Sequence, residues 1–347
     1  MARTMAGLPA GTRLTDFISL GVVAATFPEA TVREVLAETG AASRRERDLP
    51  AHVMVYYVVA LALYMQVSSR EVLRCLLEGV RWLAGPEPTL RAAGTSAISQ
   101  ARTRLGAAPL RRLYERLVQP VATPTTRGAW YRARRIVSLD GTTLDVADTE
   151  ANALAFGRPG TARGRTAFPQ IRFVGLAATG THVVFGAALG TDRTGETTLA
   201  HTVVARLAPD MLCLADRQFL SYDLWRAAAA TGAALVWRVR TTQQLPCAER
   251  LPDGSYLSHL RWHARRARAT DRALVPVRVI EYTVRSTARS GADPDAAATP
   301  APAADGEVVY RLVTTILDPA TAPAAELAAL YQERWEIETA FDALSTR

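Results

Sequence analysis

Two acidic residues each follow a short apolar run, and a third lies near the C-terminus. Asp140 follows Ile136–Leu139, Asp216 follows Met211–Ala215, and Glu338 lies in a segment rich in helix-forming residues. Carboxylates that meet in a folded protein repel one another, so a divalent cation is their natural partner. Magnesium prefers oxygen ligands and is completed by substrate phosphates. Because two such ions can bind the attacking and leaving oxygens of an in-line phosphoryl displacement, these residue types predict phosphoryl transfer.

The third acidic residue shares a helix face with groups that can bind phosphate. Apolar residues recur at helical intervals across Ala324–Leu344, which predicts one helix over this range. Residues three or four positions apart lie on the same helix face. The face that carries Glu338 also carries Tyr331, Arg334 and Trp335. Arg334 and Tyr331 are therefore expected to orient a phosphate by a charge-assisted and a neutral hydrogen bond.

The two aspartates are expected at the carboxyl ends of strands, where sites in α/β sheets gather. Each also has a structural alternative. Asp140 before Gly141 is typical of a turn. Asp216 with Arg217 is typical of a strand-end ion pair, and Glu338 is typical of a solvated helix surface. Other acidic residues near the first aspartate are interpreted as turn or surface carboxylates: Asp145, Asp148 and Glu150.

The composition suits a phosphate-rich partner. The chain has 347 residues and a net charge of +8, and all 41 basic residues are arginine. Guanidinium binds phosphate in a bidentate manner and stays charged, although GC-rich coding produces the same bias.

Three widely spaced cysteines and five histidines show no zinc-type spacing. Residues 1–13 lack the apolar core and cleavage site of a signal peptide, so a cytoplasmic location is expected.

The first 125 residues show helical periodicity. The predicted helices are Leu14–Phe27, Thr31–Glu38, Val53–Met65, Ser69–Ala84 and Ser96–Val118. The apolar run at residues 53–65 is shorter than the roughly 20 residues that span a bilayer, so a buried helix is expected there. The last helix carries Arg102 and Arg104 after a hydroxyl-rich start, which is typical of a DNA-docking helix and equally of a solvated basic face.

From Arg127 onward the pattern changes to short strands and helices. Strands are predicted at Ile136–Leu139, Gln170–Ala178, Thr181–Leu189, Met211–Ala215 and Ala234–Arg240, with helices at Thr197–Leu207 and Leu220–Thr231. Antiparallel strands followed by alternating strands and helices are typical of a ribonuclease-H-like core. A β-rich insertion follows, with a hairpin turn at Pro252–Gly254, a basic run at Arg261–Arg272, a strand at Val275–Arg285 and a loop at Ser286–Gly306 that is expected to be disordered. A strand at Val308–Leu317 then leads to the glutamate helix.

With these residues in place, the chain resembles the DDE transposases of the insertion sequence four family. The terminal signature of that family is Tyr, two residues, Arg, three residues, Glu, six residues and Lys. Tyr331, Arg334 and Glu338 match this signature in place, whereas Ser345 stands at the lysine position. Other stretches that resemble the family are Ser99–Arg102, Arg104–Gly106, Pro109–Leu110, Asp140–Asn152, Leu214–Arg217, Tyr310–Leu317 and Glu326–Leu327.

The resemblance implies a fold and a set of site residues. The fold is α/β, with a ribonuclease-H-like mixed-sheet catalytic core at residues 126–240 and 307–347, the β-rich insertion at 241–306, and an all-α DNA-binding domain at 1–125. Asp140, Asp216 and Glu338 are the implied catalytic and metal-binding residues. Two Mg²⁺ ions are implied, for which Mn²⁺ is expected to substitute. The implied DNA contacts are Tyr331, Arg334, Arg217, Arg102 and Arg104.

The resemblance also implies an activity and partners. The expected reaction is metal-dependent cleavage and transfer of DNA strands at the terminal inverted repeats of an insertion sequence. Double-stranded DNA is the expected partner, with a homodimer in the DNA complex and no membrane or small-molecule substrate. Relatives generally continue beyond the glutamate helix, so a C-terminally truncated chain is expected, and an inactive DNA-binding remnant is one alternative. A nuclease without strand transfer is another, whereas a two-carboxylate glycosidase fits poorly because aromatic sugar platforms are few.

Overall fold

The computed structural model describes residues 20–43, 49–64, 67–74, 76, 94–161, 164–261, 274–285, 307–335, 337, 338, 340 and 341. The chain divides into two compact units, with the boundary between Gln119 and Pro120. Several predicted features lie outside the described residues. These are the start of the first helix, most of the second half of Ser69–Ala84, nearly all of the basic run after Arg261, the loop Ser286–Gly306, and Ser345.

The N-terminal unit is helical, as predicted. Its helices are α1 (Leu20–Thr26), α2 (Glu29–Glu38), α3 (Ala51–Leu63), α4 (Thr95–Leu105) and α5 (Ala108–Leu117), and residues 69–74 are also helical. The apolar helix α3 is the centre of this unit's core, with Val55 and Tyr57 fully buried. Within the described part of the chain, none of the helices combines the length and apolar character that a membrane crossing needs.

The prediction of one continuous helix from Ser96 to Val118 is wrong. The stretch forms α4 and α5, which are separated at Gly106. Gly106 has φ +67°, in the left-handed region that glycine adopts without a steric penalty, so it ends α4 and reverses the chain. Pro109 lies in the first turn of α5, where a missing N–H costs no helical hydrogen bond.

The second unit is built on one large mixed sheet. Its strands are β1 (Trp130–Tyr131), β2 (Arg134–Asp145), β5 (Gln170–Ala178), β6 (Val183–Gly190), β7 (Met211–Ala215), β8 (Ala234–Arg238), β9 (Glu249–Arg250), β10 (Tyr256–Leu260), β11 (Val275–Arg285) and β12 (Glu307–Thr314). The short strands β3 (Gly160–Thr161) and β4 (Gly164–Arg165) pair separately. Among the described residues, the order in the sheet is β6-β5-β2-β7-β8-β12-β11-β10-β9, with β1 beside β2.

The strand order confirms the predicted ribonuclease-H-like core. The pairs β6–β5 and β5–β2 are antiparallel, whereas β2–β7 and β7–β8 are parallel. Three antiparallel strands thus lead into two parallel strands. The helices of this unit are α6 (Glu150–Phe156), α7 (Glu196–Val204), α8 (Tyr222–Ala229) and α9 (Ala324–Tyr331). Helix α7 packs on β5 and β6, and α8 packs on β8. Helix α9 packs in one core with Leu212 and Leu214 of β7, and β7 is buried along its whole length.

The stretch predicted as a β-rich insertion extends the same sheet. Strand β12 returns antiparallel to β8 and carries β11, β10 and β9 at its outer edge. The predicted hairpin turn at Pro252–Gly254 joins β9 to β10, and Gly254 has φ +85°. In the sheet order, four strands lie between β2 and strand β10, which follows this turn.

A buried ion pair connects that hairpin turn to the start of α9. Arg278 on β11 is fully buried and pairs with Asp253 in the turn. Its guanidinium also donates to Ser255 Oγ at 2.7 Å and to the Ala322 carbonyl at 2.7 Å. The same Asp253 carboxylate accepts the N–H of Ala324 at 2.8 Å. Because the residue before α9 is a proline without a capping side chain, Asp253 supplies the N-terminal acceptor from 71 positions away.

Candidate active site

The parallel pair β2 and β7 brings the two predicted aspartates together. The last paired residues of this ladder are Leu139 and Ala215, so Asp140 and Asp216 both lie immediately beyond it. The prediction that Asp140 ends its strand is wrong. Strand β2 continues to Asp145 because its other edge stays paired with β5 as far as Gln170. Asp140 is thus held by one neighbouring strand and open on the side where β7 has ended.

The C-terminal helix crosses this position on one face of the sheet. Helix α9 packs through Leu327 and Leu330 on a core that includes residues of β7, β8, β11 and β12. Further along, Phe341 packs edge-on against Phe173 of β5, with ring centroids 5.3 Å apart. The segment between these two anchors therefore passes over β2, which lies between β7 and β5 in the sheet.

Arg334 lies in that crossing segment and contacts the first aspartate directly. Its Nη1 is 2.7 Å from Asp140 Oδ2, and only 6% of the arginine side chain is exposed. The backbone here is a 3₁₀ helix, Gln332–Trp335, so the predicted continuous α-helix is interrupted just after Tyr331. Arg334 neutralises the charge of Asp140 within the fold, in a position that sequence spacing had predicted only as a phosphate contact.

Tyr331 is anchored beside the second aspartate. Its side chain is 3% exposed, and its hydroxyl donates to the carbonyl of Ala215 at 3.2 Å. Burial raises the pKa of Tyr331, so the hydroxyl stays protonated and remains a donor. Since Ala215 is the last residue of β7, this bond fixes the strand end from which Asp216 projects.

Replacing Tyr331 by phenylalanine is expected to destabilise the protein by about 1 kcal/mol, because one buried hydrogen bond is lost and the Ala215 carbonyl is left without its donor. The free energy of unfolding from urea titration is the measurement that checks this. Tyr256→Phe is a useful comparison, because the Tyr256 hydroxyl donates to the exposed Glu281 carboxylate at 3.2 Å instead. Equal losses for the two variants would contradict an anchoring role for Tyr331.

Asp216 has an arginine neighbour that sequence reasoning missed. Arg238, the last residue of β8, has Nη1 3.8 Å from Asp216 Oδ1, and its guanidinium lies over the Tyr310 ring, 4.2 Å from the centroid. Within the described part of the chain, Asp216 Oδ1 is a buried atom that accepts no hydrogen bond. The available signal was the position of Arg238 near the end of the strand predicted at Ala234–Arg240.

A third carboxylate, Glu196, also lies here and was not predicted. It is the first residue of α7, and its Cδ lies 2.9 Å from the point that a Cβ on Gly141 would occupy. Burial raises the pKa of Glu196, Arg172 opposes the rise, and the charges of Asp140 and Asp216 add to it. The three carboxylates therefore share one electrostatic environment.

The electrostatics of Asp140 show the same coupling. Burial raises its pKa above the ordinary value, and the charge of Asp216 adds to the rise. Arg334 and the N–H of Gly141, which donates to Asp140 Oδ1 at 2.8 Å, act in the opposite direction. For Arg334, burial acts to lower the pKa, but neighbouring groups raise it on balance: Tyr331, Asp140, Asp216 and Glu338. The negative charges of the carboxylates and the positive charge of Arg334 therefore partly offset one another in this site.

The other predicted site residues are placed less closely. Glu338 is helical and exposed, and it reaches the site through its electrostatic effect on Arg334. Arg217 is half-buried in the turn after Asp216. Arg102 and Arg104 belong to the N-terminal unit, where both are exposed in the last turn of α4.

The residues present fit a divalent cation in part. Asp140 and Asp216 offer hard carboxylate oxygens at one open edge, and the unbonded, buried Asp216 Oδ1 is an acceptor in need of a partner. Among the residues that the structure describes, however, no group of three potential ligands is close enough to enclose a metal ion. The fit is thus to an ion held by two carboxylates, with Glu338 outside that group.

Comparison with known proteins agrees with this arrangement. Residues 17–115 match the family described as insertion element 4 transposase N-terminal, and residues 131–347, more than half of the chain, match the transposase DDE domain. The transposase InsG for insertion sequence element IS4 of Escherichia coli (strain K12) is 27% identical over 317 residues, which cover 89% of this chain and 65% of that protein. The putative transposase InsZ of the same strain is 26% identical over 199 residues, covering 57% of this chain and 64% of that protein.

The chain thus spans slightly less than two thirds of the length of both curated relatives. Among solved structures, a cryo-EM structure of the piggyBac transposase synaptic complex with hairpin DNA is similar, with a TM-score of 0.44 and 13% identity over 96% of this chain and 70% of that one. DDE domains of this kind use divalent metal ions. With both family matches in chain order and the two aspartates adjacent in the fold, this chain belongs to the DDE transposases of the insertion sequence four family.

Proposed function

We propose that this chain catalyses metal-dependent cleavage and transfer of DNA strands at the terminal inverted repeats of an insertion sequence. The observation that carries the proposal is the placement of Asp140 and Asp216 at the open end of the β2–β7 ladder, beside the buried guanidinium of Arg334. A fixed guanidinium suits a reaction in which negative charge develops on phosphate oxygens, and a carboxylate pair suits the binding of a divalent cation.

In this proposal Asp140 and Asp216 would hold one divalent ion, and Glu338 with Asp140 would hold a second. Mg²⁺, or Mn²⁺ in its place, would supply the charge needed to activate a water or a 3′-hydroxyl and to stabilise the leaving oxygen of the scissile phosphate. No covalent protein intermediate is required. The carboxylates of Asp140 and Asp216 fix where attack occurs, because both project from the ends of packed, fully buried strand segments.

Arg334 has two partners in this mechanism. In the structure it compensates the charge of Asp140 at 2.7 Å. Its guanidinium would also donate to a non-bridging oxygen of the scissile phosphate. Arg238 is proposed to act in the same way on the Asp216 side, where its guanidinium is 3.8 Å from that carboxylate. Tyr331 supports the geometry from within the fold, through its bond to Ala215.

The proposed partner is double-stranded DNA, bound as terminal repeat and as target, by a homodimer in the nucleoid. The net charge of +8, carried entirely by arginine, favours a polyanion. Arg102 and Arg104 are proposed to contact the DNA backbone from the N-terminal unit, and Arg217 from the turn after Asp216. In the same unit, the nearby Arg112 and Arg116 pair with glutamates of α2, which leaves them less suited to that role.

The test is an assay on the DNA that flanks the gene itself. A labelled duplex across the element boundary is incubated with the protein, Mg²⁺ and a supercoiled target plasmid. Cleavage at the boundary and joining to the plasmid are the expected results. Cleavage without joining would favour a ribonuclease-H-like nuclease that lacks strand transfer. Binding without cleavage, across a range of Mg²⁺ and Mn²⁺ concentrations, would favour a DNA-binding protein without catalytic activity.

A further inference from the structure

Glu196 approaches the aspartate pair from the opposite side to Arg334. Adjacent residues of a strand point to opposite faces of the sheet, so Asp140 faces the C-terminal helix and position 141 faces α7. Position 141 is a glycine, and the Glu196 carboxylate lies in the space that a side chain there would fill. The pairing of β2 with β7 has already ended at Leu139 and Ala215, so Gly141 lies beyond the last pair of that ladder.

The dipole of α7 favours an acidic side chain in its first turn, where Glu196 lies, but the position of this carboxylate beside the aspartate pair has a cost. Two carboxylates already lie close by, and a third adds repulsion to a partly buried group. Arg172 offsets part of this charge, but its Nη1 donates to the Thr194 carbonyl at 3.2 Å rather than to Glu196. The helix dipole does not remove this repulsion from Asp140 and Asp216. A cation that binds at the same edge would offset it.

We propose that Glu196 is a positioning residue for the divalent ion held by Asp140 and Asp216, and that it acts by accepting hydrogen bonds from the hydration shell of that ion. Mg²⁺ keeps several waters when it binds protein carboxylates. Among the described residues, no three carboxylates stand at ligand distance, which is why the role assigned to Glu196 is indirect. The inference rests on the proposed function, since it needs the ion at the aspartate pair.

The first test measures ion binding rather than activity. Mn²⁺ titration followed by electron paramagnetic resonance gives the dissociation constant for the parent protein and for Glu196→Gln. The variant is expected to bind Mn²⁺ about tenfold more weakly, with an unchanged melting temperature, because groups around a metal's ligands typically contribute 10- to 100-fold to affinity. Glu150→Gln is the matched control, since Glu150 is also the first residue of a helix but is exposed. It is expected to bind as the parent does.

A second variant moves the carboxylate without removing its charge. In Gly141→Ala the new methyl group would lie 2.9 Å from Glu196 Cδ, so the flexible glutamate must swing away while the backbone stays in place. This variant is expected to weaken Mn²⁺ binding to a similar degree, and the double variant Gly141→Ala/Glu196→Gln is expected to be no weaker than Glu196→Gln alone. It also gives an independent answer if Glu196→Gln does not fold.

The outcomes separate the two proposals. Parent-like Mn²⁺ binding by Glu196→Gln and Gly141→Ala, alongside a clear loss in Asp216→Asn, would overturn the role of Glu196 alone. Equal weakening in Glu196→Gln and Glu150→Gln would also overturn it, because the effect would then be one of net charge. Parent-like binding by Asp216→Asn would instead reject the ion site on which both proposals depend.

Discussion

Asp216→Asn is expected to lower the rate of DNA cleavage on the order of a thousandfold, a loss of about 4 kcal/mol of transition-state stabilisation. Asparagine keeps the size of the side chain but removes the charge that holds the cation. Asp216 is a cleaner target than Asp140, because Asp140 is in a 2.7 Å ion pair with Arg334 and its loss would also disturb the C-terminal segment. The measurement is the single-turnover rate on the boundary duplex at saturating Mg²⁺.

Asp145→Asn is the control for that experiment. Asp145 lies on the same strand β2 as Asp140, but it is exposed and accepts a hydrogen bond from Gln170 Nε2 at 2.8 Å. Its replacement is expected to leave the cleavage rate within about twofold of the parent, since a surface carboxylate contributes little to a buried site. Full activity in Asp216→Asn, or equal losses in both variants, would remove Asp216 from the catalytic site.

Asp253→Ala is expected to destabilise the protein by about 3–5 kcal/mol. The substitution leaves the guanidinium of Arg278, whose side chain is fully buried, without its ion-pair partner. It also removes the acceptor for the Ala324 N–H at the start of α9. The free energy of unfolding is measured by urea titration of tryptophan fluorescence, because Trp225 and Trp237 are buried in this unit.

The control lies on the same helix. Glu326→Ala also removes an acidic residue near the start of α9, but that carboxylate is exposed and pairs with the exposed Arg132 at 3.1 Å. Exposed pairs contribute little, so only a small loss is expected. If both variants lost similar stability, the buried pair would not be the element that holds the hairpin turn to α9.

The ion pair between Asp253 and Arg278 predicts how the free energy of unfolding depends on pH. Burial acts to raise the pKa of Asp253, but hydrogen bonds from Ser255 and the Ala324 N–H, together with the charge of Arg278, lower it below the ordinary value of an aspartate. A carboxylate with a lowered pKa stabilises the fold above its unfolded value, and this contribution is lost as the pH falls through the folded value. The parent should therefore lose stability below about pH 4 more steeply than Asp253→Ala.

The predicted bounds of β5, β7 and β11 agree with the structure. A continuous apolar run marks β7, which is buried at every position, whereas alternation of apolar and polar residues marks β11, which has exposed positions. Strand β2 was predicted too short. Its second half, from Asp140 onward, carries polar and glycine residues that are typical of a turn, and only pairing with β5 keeps it extended. Cross-strand pairing of this kind leaves no local signal in the sequence.

The site was predictable where it depended on strand ends and a motif, and not where it depended on packing. The adjacency of Asp140 and Asp216 follows from two parallel strands that end together. Glu196 was missed because its approach depends on how α7 packs and on the missing side chain at Gly141. The fully buried Arg278 was missed because its partners lie 23 to 44 positions away, beyond any helical or strand period.

The central claim is that Asp140 and Asp216 together hold a divalent cation. Anomalous diffraction from crystals soaked in Mn²⁺ tests it most directly. The account predicts a peak between the two carboxylates, at about 2.0–2.2 Å from an oxygen of each, that is absent in crystals of Asp216→Asn. A strong peak elsewhere with none between these carboxylates, or an undiminished peak in the variant, would contradict the account.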